Sequence, residues 1–156
     1  MYFYLFIVLA LCIDQATKIA IRANVALGEK KELWGFIRLT HLENTGSSGN
    51  MLHGQGRLLA ILILTLAGIA LYLKSRGRFR GTLTQVGVAL FIGGGIGNAL
   101  DRILYNQVTD FLYFADAATM NFADIWVFLA FVCIVASQFK PLFKPNAAGL
   151  EDKRHT

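Results

Sequence analysis

The stretch GTLTQVGVALFIGGGIGNAL, residues 81–100, carries no charge at all. At about 1.5 Å per residue, a helix of that length covers about 30 Å, the thickness of a bilayer's hydrocarbon core. Three further stretches are of the same kind: MYFYLFIVLALCI at the start, continuing through DQATK to about residue 21, LLAILILTLAGIALYL at 58–73, and IWVFLAFVCIVASQF at 125–139. Any one of these alone suits the buried helix of a water-soluble domain. Four of them in 156 residues, in a chain that is 55% hydrophobic, leave too little polar surface to cover such a domain, where apolar content is nearer about 45–50%. A cleaved leader is the other reading of the first run. It lacks a basic start, and Asp14 and Lys18 stand where small cleavage-site residues belong. The chain therefore reads as an all-α membrane protein, a single integral domain with spans at about 2–21, 57–73, 82–102 and 122–140.

Basic residues in short connections set orientation. Spans two and three are joined by KSRGRFR, with Lys74, Arg76, Arg78 and Arg80 and no acid, and the tail 141–156 with its preceding Lys140 is also basic. Two spans separate these segments, so they share a face. The connection between spans three and four, about 105–121, has no basic residue. This assigns the loop 74–81 and both termini to the cytoplasm, and the loop 22–56 and the acid-bearing connection to the outside. The net charge of +5 is then an orientation signal and a contact with anionic membrane lipid, and nucleic acid is not expected as a partner. Cys12 and Cys133 lie within apolar runs and read as small packing residues.

Helix rise also fixes depth. Counted from the inner end of each span, Asp14 lies about 20 Å, Asp101 about 31 Å and Asp124 about 24 Å along. All three fall in or near the outer third of the core. A carboxylate placed mid-membrane costs about 2.5–3.5 kcal/mol on insertion scales. Asp14, Lys18, Asn98, Asp101, Arg102, Asp110, Asn121 and Asp124 gathered at one depth favour a site over a set of separate interhelical hydrogen bonds.

The stretch VTDFLYFADAATMNFAD, 108–124, holds Asp110, Asp116 and Asp124 with no cation between them. Two carboxylates brought together at a partly desolvated edge cannot both ionise, and they share a proton. One then takes a proton from water while the other donates to a carbonyl oxygen, which is hydrolysis without a covalent intermediate. Spacing alone leaves open whether the two meet. In GGGIGNALDRI, 93–103, the glycines suit close helix packing in lipid, and no GK[ST] follows that would make a phosphate loop. Arg102 is placed to hold a substrate carbonyl or a phosphate, or simply to snorkel to headgroups, and its neighbour Asp101 points to a different face. Asp14 and Lys18 in DQATK form an i,i+4 pair. In the outer loop, 36–42 alternates apolar and polar residues as a strand does, and ENTGSSGN is rich in turn formers. His41 and His53 have no ligand constellation around them, so neither a metal site nor a cofactor is expected.

In this order, DQATK, ENTGSSG, GGGIGNALDRI, VTDF and MNFAD resemble the boxes of the lipoprotein signal peptidases (signal peptidase II), bacterial membrane aspartyl proteases. The resemblance covers nearly the whole chain. It implies four spans with both termini inside, a small external β-rich cradle between helices 1 and 2, and a catalytic dyad of Asp110 and Asp124. Asn44, Asn98, Arg102 and Asn121 match substrate-binding positions, while Asp14, Lys18 and Asp101 match supporting ones. The implied substrate is a diacylglyceryl-modified prolipoprotein, cleaved just before the lipidated cysteine at the outer face of the bacterial inner membrane, by an enzyme expected to be a monomer. The box after Asn44 usually reads N-x-G-A-A followed by an aromatic residue. Here Ser47 and Ser48 replace the alanines, Gly49 replaces the aromatic residue, and Met120 stands where the last box usually has Phe. Two rival readings use the same residues: a small ion- or proton-handling protein with the acids as a relay, and a catalytically silent binder of lipoprotein precursors.

Overall fold

The computed structural model describes residues 2–46, 54–114 and 118–139. Four helices carry the chain, α1 (Tyr2–Asn24), α2 (Gly56–Ser75), α3 (Thr82–Tyr105) and α4 (Phe122–Phe139), each long and apolar enough to cross a membrane. Helix α1 continues beyond residue 21 and α3 beyond residue 102, so Arg22 lies within α1 and not in the following loop. Large apolar side chains such as Tyr4, Ile61, Phe128 and Phe131 are more than half exposed around the bundle. That outward face is costly in water and is at home in lipid. Cys12 is exposed on this surface and so packs against nothing inside, whereas Cys133 is half-buried.

Helix α3 is the centre of the bundle. Its apolar stretch is 56% buried, against 22% for α1 and 11% for α2 and α4. The triple glycine makes this possible. Successive residues turn by about 100° around a helix, so three glycines in a row face three different neighbours. A Cβ on Gly93 would lie 2.8 Å from the carbonyl oxygen of Ile7 in α1, one on Gly94 2.6 Å from that of Ala123 in α4, and one on Gly95 3.1 Å from a methyl of Ile63 in α2. Small residues let backbones approach where no hydrophobic effect drives helices together. At the end of the bundle away from the sheet, Phe3, Ala67, Val88, Ala89 and Ile92 close an apolar core.

Above the bundle lies a four-stranded antiparallel sheet in the order β1-β2-β3-β4, comprising β1 (Lys30–Trp34), β2 (Ile37–Asn44), β3 (Val108–Phe114) and β4 (Ala118–Met120). The strand expected at 36–42 is β2. The sheet extends beyond the α1–α2 connection, because β3 and β4 come from the α3–α4 connection. Pairing of β2 with β3 sets Leu42 opposite Asp110 and Asn44 opposite Val108, which draws the α1–α2 and α3–α4 connections into one unit. A register shift between Leu39 and Leu42 turns Thr40 and His41 inward. The Thr40 hydroxyl donates to the Glu29 carbonyl at 2.8 Å, and His41 Nδ1 lies 2.8 Å from the carbonyl of Val25 just past the α1 C-terminus. His41 is thus a structural staple. Ile21, Val25 and Phe111, with Leu39, Leu112 and Phe122 around them, cement sheet to helices.

The start of α2 is fixed by the end of α3. Asn106 takes the left-handed conformation (φ 60°) that stops α3. Its side chain accepts from the Arg57 N–H at 3.3 Å and donates to the Gly54 carbonyl at 3.3 Å. Gly56 permits this contact, since a Cβ there would meet the Asn106 carbonyl oxygen at 2.5 Å.

Candidate active site

Asp110 enters the site from the middle of β3, and Asp124 from the first turn of α4. Asn121, immediately before α4, joins them. Its side-chain NH2 donates to Asp110 Oδ1 at 2.6 Å, its side-chain oxygen accepts the Asp124 N–H at 3.0 Å, and its own N–H donates to Asp124 Oδ2 at 3.2 Å. The last two bonds form a reciprocal cap that satisfies orphan amides at the helix start. Each carboxylate has a second amide donor: Asn44 Nδ2 reaches Asp110 Oδ2 at 3.1 Å, and Asn98 Nδ2 reaches Asp124 Oδ1 at 2.9 Å. Asn44 arrives at the end of β2, and its side-chain oxygen also accepts the N–H of Gly46 at 3.1 Å.

Behind Asn98 lies a buried ionic cluster. Lys18 has no exposed surface, and its ammonium sits 2.8 Å from Asp14 Oδ2, 3.3 Å from Asp101 Oδ2 and 2.8 Å from Asn98 Oδ1. All three of its donors therefore have partners, the condition under which a buried charge is tolerable. Asp14 Oδ1 accepts the Ala123 N–H at 2.8 Å, and Asp101 Oδ2 accepts the Thr109 N–H at 3.2 Å. One carboxylate thereby ties α1 to the start of α4, and the other ties α3 to β3. Arg22 supplies the second cation, 3.5 Å from Asp101 Oδ1 and 2.8 Å from the Thr109 hydroxyl. With Asp14 and Asp101 facing Lys18 and Arg22, the cluster balances in charge. Gln15 adds bonds to the Gly97 carbonyl and both acids.

Asp101 and Arg102 do point to different faces. Asp101 joins the buried cluster, while Arg102 turns to the carboxylate side. Its guanidinium donates to the carbonyls of Asn98 at 3.3 Å and Gly46 at 3.4 Å, and among the described residues it makes no ion pair. Asp110, Asp124, Asn44, Asn98, Arg102 and Asn121 all line one cleft of about 750 Å³. Its apolar walls come from Ile63 and Leu66 of α2, Phe91 of α3, and Val127 and Phe128 of α4. Leu66 and Phe128 are also exposed on the outer surface of the bundle, so the cleft opens between α2 and α4 onto that apolar surface. Burial and the neighbouring Asp124 push the Asp110 carboxyl up to about 6, although amide donors from Asn44 and Asn121 oppose the rise.

All nine residues singled out in the sequence thus meet. Six line the cleft, while Asp14, Lys18 and Asp101 stand behind it. Gln15, Arg22 and Thr109 were not anticipated. For Arg22 a signal existed, since Asp14, Lys18 and Arg22 form a continuous i,i+4 ladder on α1. Asp116, the loop residues Ser47, Ser48 and Gly49, and also His53, Lys140 and the tail lie outside the described residues.

Fold and site together define a multi-pass membrane protein with neighbouring carboxylates in a cleft that opens onto the apolar surface of the bundle. Residues 6–140 match the family model described as signal peptidase (SPase) II, and the chain belongs to that family. It is 34% identical over 138 residues to a lipoprotein signal peptidase of Gloeobacter violaceus, covering 86% of this chain and 79% of that one. It is 30% identical over 141 residues to one of Streptococcus pyogenes, covering 88% and 93%. Two solved structures of bacterial membrane enzymes, both obtained by the in meso method, share the fold at 24% identity. One has a TM-score of 0.84 over 93% of this chain and 92% of that one, the other 0.80 over 89% and 93%. The protein is a protease of signal-peptide processing with membrane-spanning helices, and it fits a multi-pass protein of the bacterial inner membrane.

Proposed function

We propose that this chain is an aspartyl endopeptidase that frees diacylglyceryl-modified prolipoproteins from their signal peptides, cutting just before the lipidated cysteine. The observation that carries this reading is that one residue, Asn121, bonds both carboxylates, Asp110 through its side-chain NH2 and Asp124 through its backbone N–H, inside a cleft with apolar walls. Water reaches the carboxylates from the outer face, and a lipid-anchored substrate enters sideways between α2 and α4.

The dyad shares one proton, held in the resting state by the more deeply buried Asp110. Asp124 takes a proton from water as the water oxygen bonds to the scissile carbonyl carbon, and Asp110 donates its proton to the carbonyl oxygen. In the resulting gem-diol, one hydroxyl proton returns to Asp110 and Asp124 gives its proton to the amide nitrogen. The C–N bond then breaks, leaving a carboxyl group on the signal peptide and a free amine on the cysteine. Arg102 offers its remaining N–H donors to substrate carbonyls and offsets the negative charge of the pair. Lys18 acts at one remove: by holding Asn98 Oδ1 it aims the Asn98 NH2 at Asp124. Asn44 and Asn121 fix the plane of the Asp110 carboxyl.

The relay reading meets a specific obstacle, since among the described residues no Asp or Glu continues the polar network beyond Asp14 toward the inner half of any span. The test is turnover of a diacylated model precursor by purified protein in detergent, read by gel shift. Asp110→Asn and Asp124→Asn should each lower the rate by at least about 10³-fold while the protein still inserts and purifies. Cleavage at near wild-type rate by either variant would refute the assignment.

A further inference from the structure

The segment joining α2 to α3 forms a second cleft at the end of the bundle away from the carboxylates. It measures about 370 Å³ and is lined by Arg76, Gly77, Arg78 and Arg80 alone. The chain is held in place from both sides. Behind it, the N–H groups of Arg76, Gly77 and Arg78 bond to the carbonyls of Tyr72, Lys74 and Leu73, which closes α2. In front, Phe79 packs into the apolar core around Phe3, Ala67 and Val88, so its neighbours Arg78 and Arg80 are left on the open side. Lys74 is occupied elsewhere, donating to Gln85 at 2.7 Å and lying over the Phe3 ring. Among the described residues none of the three arginines makes an ion pair, in contrast to Lys18, Arg22 and Lys31.

Three arginines on one hydrogen-bonded turn concentrate positive charge around this cleft, and an anion bound among them would offset it. We infer that this cleft is a discrete binding site for the phosphate headgroup of an anionic phospholipid. Placement decides the occupant. The turn joins two membrane-spanning helices and therefore lies at headgroup height, with Leu71 and Tyr72 exposed to the acyl region beneath it. The forked N–H donors of arginine match the paired oxygens of a phosphodiester. A headgroup that adds its own ammonium is disfavoured among three cations, so phosphatidylglycerol fits and phosphatidylcholine does not. This is more than the diffuse attraction of a basic loop for a negative surface, because it depends on fork geometry. It is independent of the protease reading and holds for whichever leaflet faces the turn.

The experiment compares wild type with the triple variant Arg76→Lys, Arg78→Lys and Arg80→Lys, which keeps every charge and hence the orientation signal. Both proteins are reconstituted in bilayers of mixed phosphatidylglycerol and phosphatidylcholine, and retained lipid is read by native mass spectrometry. Wild type should retain phosphatidylglycerol selectively, and the triple lysine variant at least about fivefold less of it, with unchanged precursor cleavage. Equal retention by the two proteins would overturn the proposal. So would displacement of the lipid by inorganic phosphate, which would leave a free anion as the occupant.

Discussion

Asp110 owes its behaviour to position. It is buried and it neighbours Asp124, and both conditions disfavour its ionised form. Its pKa is raised to about 6, so the proton is retained from acid pH up to that value and lost as pH rises through it. Two consequences have the same sign. The contribution of this group to stability is complete below the ordinary carboxyl pKa of about 3.9 and is lost as pH climbs through about 6. For catalysis, kcat/KM for the diacylated precursor should have an alkaline limb bending near pH 6, reporting the pair as a unit. The limb of kcat should lie higher, since bound substrate removes more water. A kcat/KM profile flat from pH 5 to 8 would contradict a proton held on Asp110. At this scale the sequence was informative about the acids and amides, because polar residues within apolar runs are conspicuous. It was less so about Gln15 and Thr109, which are ordinary residues for a helix and a strand and gain their roles only from what packs beside them.

At the scale of elements, the four helices could be read directly, since a bilayer requires long apolar runs and little else does. The sheet was only partly legible. Strand β2 shows alternation, but β1, KKELW, is exposed at every position and so has no apolar face to reveal. Strand β3 forms because its partner β2 comes from a connection more than sixty residues earlier, a pairing no local pattern records. The glycine run had an unspecific meaning in the sequence and a definite one in the bundle, with one residue for each neighbouring helix. Gly94→Val should therefore push α4 away at Ala123, next to Asp124, at a cost of about 1–3 kcal/mol, seen as a lowered Tm in detergent together with lost cleavage. Gly68, with nothing within 4 Å of an added Cβ, makes the contrast. Gly68→Ala should leave both unchanged or raise Tm slightly. A Gly94→Val protein as stable as Gly68→Ala would mean that α3 is not the close-packed centre.

For the molecule as a whole, the carboxylate cleft and the arginine turn lie at opposite ends of the same helices. If the arginine turn faces the cytoplasm, the sheet and Asp110 face outward. With Cys12 and Cys133 replaced by alanine, a cysteine at Trp34 should react with an impermeant thiol reagent in intact cells, and one at Ser75 only after lysis. The reverse pattern would invert the protein and deny the active site its external water. The buried cluster of Asp14, Lys18, Asp101 and Arg22 ties α1, α3, α4 and β3 together beneath the dyad, so the two acids are presented by a connected frame and not by mobile loops.

The central claim is that Asp110 and Asp124 form one machine. The most direct measurement is single-turnover cleavage of the diacylated precursor by Asp110→Asn, Asp124→Asn and the double variant. Groups that act as a unit are strongly non-additive, so each single change should remove nearly all activity and the double should be no slower than the slower single. Losses that instead multiply, with each single variant keeping substantial turnover, would show two independent contributions and contradict the shared-proton account.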